Sequence, residues 1–270
     1  MASSGDQTPG GRRRRRHRFY GQLLLICLLS MVTFTLPLSL KTLGIVVHVL
    51  LVAVLVNHLG QPGAVPGSSR GHDRVYRALG IGALAAQLLW WLTPLSLTNT
   101  GVPLLVLWTL FVGWSTGRLV RLLALETEVN GRVLMGAAAG FLMLGLAAGL
   151  LMGVLETVEP GSFTSVHNEG GRLLEPRQLG RLTPQMIWQL DFARLNYFAF
   201  ITLTTTGYGD VLPVTQAAQL TSVMVAVIGQ IYLAVVMGVL ISRFTLQEAE
   251  EDEERKAAPA PGVGEGPPEH

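Results

Sequence analysis

Between Phe19 and Leu38 the chain runs for twenty residues without a charge, and between Val133 and Leu155 for twenty-three. A helix rises 1.5 Å per residue, so about 20 apolar residues cross the roughly 30 Å of hydrocarbon in a bilayer. A compact soluble fold has no need of such runs, and here they recur. Leu43 to Leu59 forms a second, carrying His48 and His58; Ala78 to Leu97 a third, after Arg77; Val102 to Ala124 a fourth; Gln216 to Phe244 the last. The Gly-, Pro- and Ser-rich Gly60 to Asp73 reads as a linker, and the short polar Thr98 to Gly101 makes the third and fourth helices antiparallel neighbours. Charged residues are 14% of the chain against about 25% in soluble proteins. The pattern predicts an all-α membrane protein with six transmembrane helices.

The cationic residues set the topology. With the N-terminus in the cytoplasm, fifteen of the twenty Lys and Arg fall on the cytoplasmic side: Arg12 to Arg16 and Arg18, Arg70, Arg74, Arg77, Arg118, Arg121, Arg132, Arg243, Arg255 and Lys256. Both termini are then expected in the cytoplasm, and the plasma (inner) membrane is the expected location. The first run is too long for a secretory signal, and no small-residue cleavage site follows Pro37, so a retained anchor is favoured. Residues 1–18 read as a disordered basic segment that contacts anionic lipid through Arg12 to Arg18 and binds no nucleic acid. The single cysteine, Cys27, rules out an intrachain disulfide and reads as a buried apolar residue.

Glycines in the fifth run, Gly136 with Gly140 and Gly145 with Gly149, have the four-residue spacing that lets helix backbones approach closely in a bilayer. Between the fifth and last runs, Tyr197 to Pro213 reads YFAFITLTTTGYGDVLP: an apolar stretch running straight into Thr205, Thr206, Gly207, Tyr208, Gly209 and Asp210. Phe192 to Thr204 is expected to be a short helix with Asp191 as candidate N-cap. On its own the Gly-Tyr-Gly-Asp string could be a β-turn. Its place after a short apolar helix and between two spans is where irregular backbone is tolerated in a membrane.

This stretch closely resembles the pore loop of potassium channels, specifically the six-helix, single-pore-loop, bacterial-type channels lacking a typical voltage-sensing helix. The likeness is specific over Asp191 to Phe244 and only topological elsewhere. It implies a re-entrant pore helix and a selectivity filter between the fifth and sixth spans, with four loops around an axis whose backbone carbonyls replace the hydration shell of potassium. Potassium would sit at the carbonyls of Thr205, Thr206, Gly207 and Tyr208. Turning successive carbonyls to one axis needs backbone conformations that glycine enters cheaply, which Gly207 and Gly209 supply. Tyr208 turns its ring away from the ion path toward the pore helix. The resemblance further implies that Tyr197 and Phe198 brace the filter, with Thr204 and Asp210 as additional supports, and it places a gating hinge at Gly229, with Gly238 a second candidate.

Two departures from the family pattern stand out. Thr206 replaces the commoner valine, which keeps the β-branch and the carbonyl. Ile201 stands where some members have a carboxylate, so Asp210 needs another partner, for which Tyr197 is the candidate. The fourth run carries only Arg118 and Arg121 at a three-residue spacing, and the first four runs contain no Asp or Glu as countercharge, so no steep voltage dependence is expected.

The division expected is 1–18, the basic N-terminus; 19–125, a four-helix transmembrane domain; 131–245, the pore domain; and 246–270, an acidic disordered cytoplasmic tail. The tail is too short for a ligand-sensing domain, and Val158 to Leu190, including His167, reads as an extracellular turret. One pore loop cannot close a ring, so the expected partners are three further copies in a homotetramer, together with the lipid bilayer. The expected function is a potassium-selective channel subunit. Alternatives are a weakly selective cation channel, or a non-conducting membrane sensor or regulatory subunit that retains the pore fold. No spaced catalytic cluster or phosphate loop is present, so no enzyme is expected, and no cofactor beyond potassium as the permeant ion.

Overall fold

The computed structural model describes residues 9–36, 41–92, 97–126, 129–166, 173 and 184–257. Five helices come first: α1 (Pro9–Thr35), α2 (Lys41–Leu59), α3 (Arg70–Leu92), α4 (Leu97–Ala124) and α5 (Gly131–Val158). A short strand β1 (Phe163–Ser165), helix α6 (Pro184–Leu203) and strand β2 (Val211–Pro213) follow. The last helix runs as α7 (Gln216–Ile231), a π-helical turn (Tyr232–Met237) and α8 (Gly238–Ala257).

Among the described residues four stretches are long and apolar enough to cross a membrane: Arg16–Phe34, Pro103–Ala124, Gly131–Val158 and Gln216–Glu250. The second expected span, Leu43 to Leu59, lies in α2, with Val46–Leu59 as its apolar stretch among the described residues. Of the third, Ala78 to Leu97, residues 78–92 are helical in α3 and 93–96 lie outside the described residues. The basic segment expected to be disordered is helical from Pro9 onward, and the acidic tail is helical as far as Ala257. Thr98 to Gly101, expected to separate the third and fourth helices, lie in the first turns of α4, and residues 93–96 lie outside the described residues. His167 and most of the turret lie outside the described residues, as do the side chains of Arg12 to Arg15.

Helix α5 is the centre of the molecule, packing against α4, α6, α1 and α7. Its glycines make this possible, because lipid tails are as apolar as Leu and helices in a bilayer associate through close packing. A Cβ at Gly136 would fall 2.8 Å from the Tyr20 ring of α1. One at Gly145 would overlap the Phe200 ring of α6, and one at Gly149 the Asn196 amide of the same helix. The two glycine pairs therefore seat different partners: Gly136 receives α1 and Gly140 the last helix, while Gly145 and Gly149 receive α6. Asn130 caps α5, its Oδ1 accepting from the amides of Arg132 and Val133.

A buried charge cluster ties α3 to α4. The Arg118 guanidinium donates to Asp73 Oδ1 at 2.7 Å and to the Leu59 carbonyl at 2.7 Å, and lies 4.6 Å from the Tyr76 ring centroid. Asp73 also accepts from Ser68 Oγ and from the Gly63 amide. The countercharge missing from the sequence reading is thus Asp73, brought into α3 because that helix starts at Arg70, with the Ser69 hydroxyl accepting from the His72 amide in the manner of an N-cap.

Candidate functional site

Helix α6 starts at Pro184, a residue suited to a first turn because its missing amide hydrogen would be unpaired there. Asp191 is therefore inside the helix and does not cap it. The helix ends as its carbonyls are drawn into a tight knot. Thr204 N bonds to Phe200 O at 2.9 Å, Thr205 N to Thr202 O at 3.0 Å, and both Thr206 N and Gly207 N reach Ile201 O, at 2.8 and 3.2 Å. The Thr204 hydroxyl donates to Phe200 O and lies 2.8 Å from the Thr206 hydroxyl.

Beyond this knot every second residue is left-handed: Thr205 at φ 58°, Gly207 at φ 53° and Gly209 at φ 78°. Among the described residues Thr205 is the single non-glycine with positive φ, a conformation costly for a β-branched side chain. The irregular segment that results, residues 204–209, is exposed in the single chain.

Three contacts hold the segment from outside. The Tyr208 ring stacks on the Tyr197 ring of α6, with centroids 6.5 Å apart and planes within 2°. Phe198 is buried against Phe163 of β1, edge to face at 5.5 Å. Finally, β1 pairs antiparallel with β2, matching Phe163 with Pro213, Thr164 with Leu212 and Ser165 with Val211. Val166 N adds a bond to the Asp210 carbonyl, and Val214 N one to the Ser162 carbonyl. The Glu156 carboxylate at the end of α5 receives the amides of Gly161 and Phe163, fixing the turn that launches β1. This two-stranded staple joins the end of α5 to the exit of the Thr205–Gly209 segment. The sequence reading missed it because three-residue strands separated by almost fifty residues leave no periodic signal.

The Asp210 carboxylate stands beside the Tyr197 hydroxyl, while its buried Oδ1 has no hydrogen-bond partner among the described residues. If Tyr197 steadies Asp210 through its hydroxyl, Tyr197→Phe should keep the ring stack on Tyr208 but loosen the backbone of residues 205–210. Hydrogen–deuterium exchange at those amides would check this, and exchange unchanged from the wild type would refute the role.

Helix α7 begins at Thr215, whose hydroxyl accepts from the Ala218 amide. It buries one stripe, Ala218, Ser222, Val225 and Gly229, and leaves Leu220, Val223, Met224, Val227, Ile228 and Ile231 exposed. Gly229 lies against α6, where a Cβ would come 2.5 Å from the Leu203 carbonyl oxygen; around Gly238 a Cβ would meet nothing within 4 Å.

Residues 176–246 match a family profile described as an ion channel. No curated protein and no solved structure matches the chain. The match covers α6, the left-handed segment, β2, α7 and most of the last helix. This part of the chain is an ion-channel domain, and with its long apolar helices the protein is an integral membrane protein.

Proposed function

We propose that the chain is one subunit of a potassium-selective channel, with Thr205 to Gly209 as its filter. The observation that carries this reading is the alternation of left-handed backbone at Thr205, Gly207 and Gly209, at the end of a short helix held between two long apolar ones. Such alternation turns successive carbonyls toward one side, and backbone carbonyls are the ligands that can stand in for the water around potassium. Ions would be held at the carbonyls of Thr205, Thr206, Gly207 and Tyr208. The Tyr197–Tyr208 stack and Phe198 brace the loop from behind, Thr204 steadies its entrance and Asp210 its exit, while Gly229 and Gly238 remain the glycine hinge candidates of the inner helix.

A single copy encloses nothing. Tyr208 is 71% exposed and α7 leaves Leu220, Val223, Met224, Val227, Ile228 and Ile231 uncovered, so the site is completed by three further copies around an axis, four chains in all for a carbonyl cage of this kind. Lipid surrounds the assembly in the plasma (inner) membrane with both termini cytoplasmic, where the basic start of α1 meets anionic headgroups. Conduction is passive and needs no cofactor or catalytic group.

The test is a recording from the purified full chain in a planar bilayer, with potassium on one side and sodium on the other. A reversal potential near that of potassium is expected. A reversal potential near zero would replace this reading with a weakly selective cation channel. Absence of both current and thallium flux would replace it with a non-conducting sensor or regulatory subunit.

A further inference from the structure

Helix α3 opens with three arginines, and the helical repeat puts all of them on one side. Arg70, Arg74 and Arg77 are spaced by four and three residues, so they share a face, and all three are exposed. The same face continues as Ile81, Ala85 and Leu88, again exposed, while a different side of the helix buries Asp73, Tyr76, Gly80 and Ala83. From Arg77 to Leu88 the helix rises about 16 Å, half of the roughly 30 Å of hydrocarbon in a bilayer. The stripe is therefore basic at the membrane surface and apolar through one leaflet.

The protein leaves this basic face without a countercharge. Asp73, the one acidic residue of α3, is buried and taken up by Arg118 at 2.7 Å. Among the described residues none of Arg70, Arg74, Arg77 and Arg121 forms an ion pair. The arginines also stand at the positive end of the helix dipole, where an anion is stabilising and a cation is not. Two of the side chains are placed by the neighbouring backbone. Arg77 donates through Nη2 and Nε to the Gly60 carbonyl just past α2, at 2.8 and 3.3 Å. Arg121 of α4 lies across the loop that leads into α3, where a Cβ at Gly67 would fall 2.8 Å from its Nη2.

The positive-inside rule counts charges near the membrane and is indifferent to the face they occupy. Here the charges share a face with the exposed apolar residues below them, which is the outline of one lipid molecule. We propose that this stripe binds an anionic phospholipid of the cytoplasmic leaflet. Its phosphate is held by Arg70, Arg74 and Arg77, and an acyl chain lies along Ile81, Ala85 and Leu88. The lipid supplies the negative charge that the start of α3 lacks, at a place separate from the basic start of α1. Only the choice of leaflet rests on the topology proposed above; the filter and its selectivity do not enter.

The test uses the purified full chain in a neutral detergent, whose micelles carry no charged surface, with bound lipid counted by native mass spectrometry. Arg70→Gln, Arg74→Gln and Arg77→Gln combined should retain one phosphatidylglycerol fewer per chain than the wild type, whatever the start of α1 holds. Recovering it should take on the order of a hundredfold more lipid, about fivefold for each charge. Arg132→Gln, which removes another exposed arginine of the cytoplasmic side, should keep the wild-type number. Phosphatidylcholine with the same chains, and glycerol 3-phosphate without chains, should each bind at least tenfold more weakly than phosphatidylglycerol. In the wild type, phosphatidylglycerol should slow hydrogen–deuterium exchange across residues 67–74. Equal retention by the wild type and the triple variant, the same loss in Arg132→Gln, or phosphatidylcholine bound as tightly would overturn the site. Glycerol 3-phosphate bound as tightly would make it a free-anion site and overturn the lipid assignment. Should the triple variant fail to fold, exchange in the wild type unchanged by phosphatidylglycerol overturns the proposal. A chain that binds the lipid here but passes no potassium leaves this inference standing and refutes the channel reading alone.

Discussion

Gly207→Ala should abolish potassium flux while leaving the protein abundant, membrane-inserted and assembled. Gly207 has φ 53°, a conformation that costs an L-residue with a Cβ about 1–2 kcal/mol, and in the tetramer proposed above the cost is met once in every copy. A Cβ there would meet no atom within 4 Å of its own chain, so the substitution leaves the packing of the fold alone. The strain is relieved by turning the residue to negative φ, which swings a carbonyl out of line and leaves an ion with an incomplete shell. A loss of a few kcal/mol of ion coordination at one site is a loss of several hundredfold or more in occupancy. Thr206→Val is the matched control. It keeps the β-branch and the carbonyl, and removes only the hydroxyl that contacts Thr204, so selective flux should persist. The pair is read by thallium or rubidium uptake into liposomes alongside size-exclusion chromatography. Selective potassium flux through Gly207→Ala would sink the carbonyl-cage account.

The difference in what could be read from the sequence follows from the range of the interactions. The left-handed positions at Gly207 and Gly209 and the helix before them are local, written in residue types that few other backbones demand. The glycine spacing of α5 is also local, and it identified a close-packed face without saying which helix fills it: Tyr20 at Gly136, Tyr232 at Gly140 and α6 at Gly145 and Gly149. What escaped is non-local. The π turn has no compositional mark, because the contact that begins it reaches a carbonyl 95 residues earlier. The β1–β2 staple joins segments of three residues each. The start of α3 was hidden by the Gly and Pro residues of 60–67, which extended the apparent linker to Asp73. Ser69 was the available signal, a hydroxyl placed three residues ahead of His72 to cap a helix that begins with its charged face.

That early start has an energetic consequence, and it yields the largest stability effect expected in the chain. Asp73→Ala should destabilise the protein by about 3–5 kcal/mol, because it leaves the Arg118 guanidinium buried without a countercharge. Asp73 is 2% and Arg118 6% exposed, so solvent cannot move in to compensate. The same removal frees Ser68 and the Gly63 amide, which now bond to the carboxylate and hold the α2–α3 loop in place. For a chain of this size such a loss lowers the melting temperature by roughly 6–12 °C. Asp73→Leu combined with Arg118→Met should recover part of it, since neither charge is then stranded. The pair also predicts a pH dependence. Burial raises the Asp73 carboxyl, but hydrogen bonds from Ser68, Arg118 and Gly63, together with the Arg118 charge, outweigh that and hold it below its ordinary value of 3.8. A carboxyl lowered in the folded state contributes stability in full above its unfolded value and loses it as the pH falls through the folded one. Melting of the wild type should therefore be insensitive to this group at neutral pH and should weaken only in strong acid, and Asp73→Ala should lack that component. Thermal melts of the two proteins in detergent between neutral and strongly acidic pH measure both effects. Equal melting temperatures at neutral pH would show that Arg118 finds its compensation elsewhere, in the Leu59 carbonyl and the Tyr76 ring.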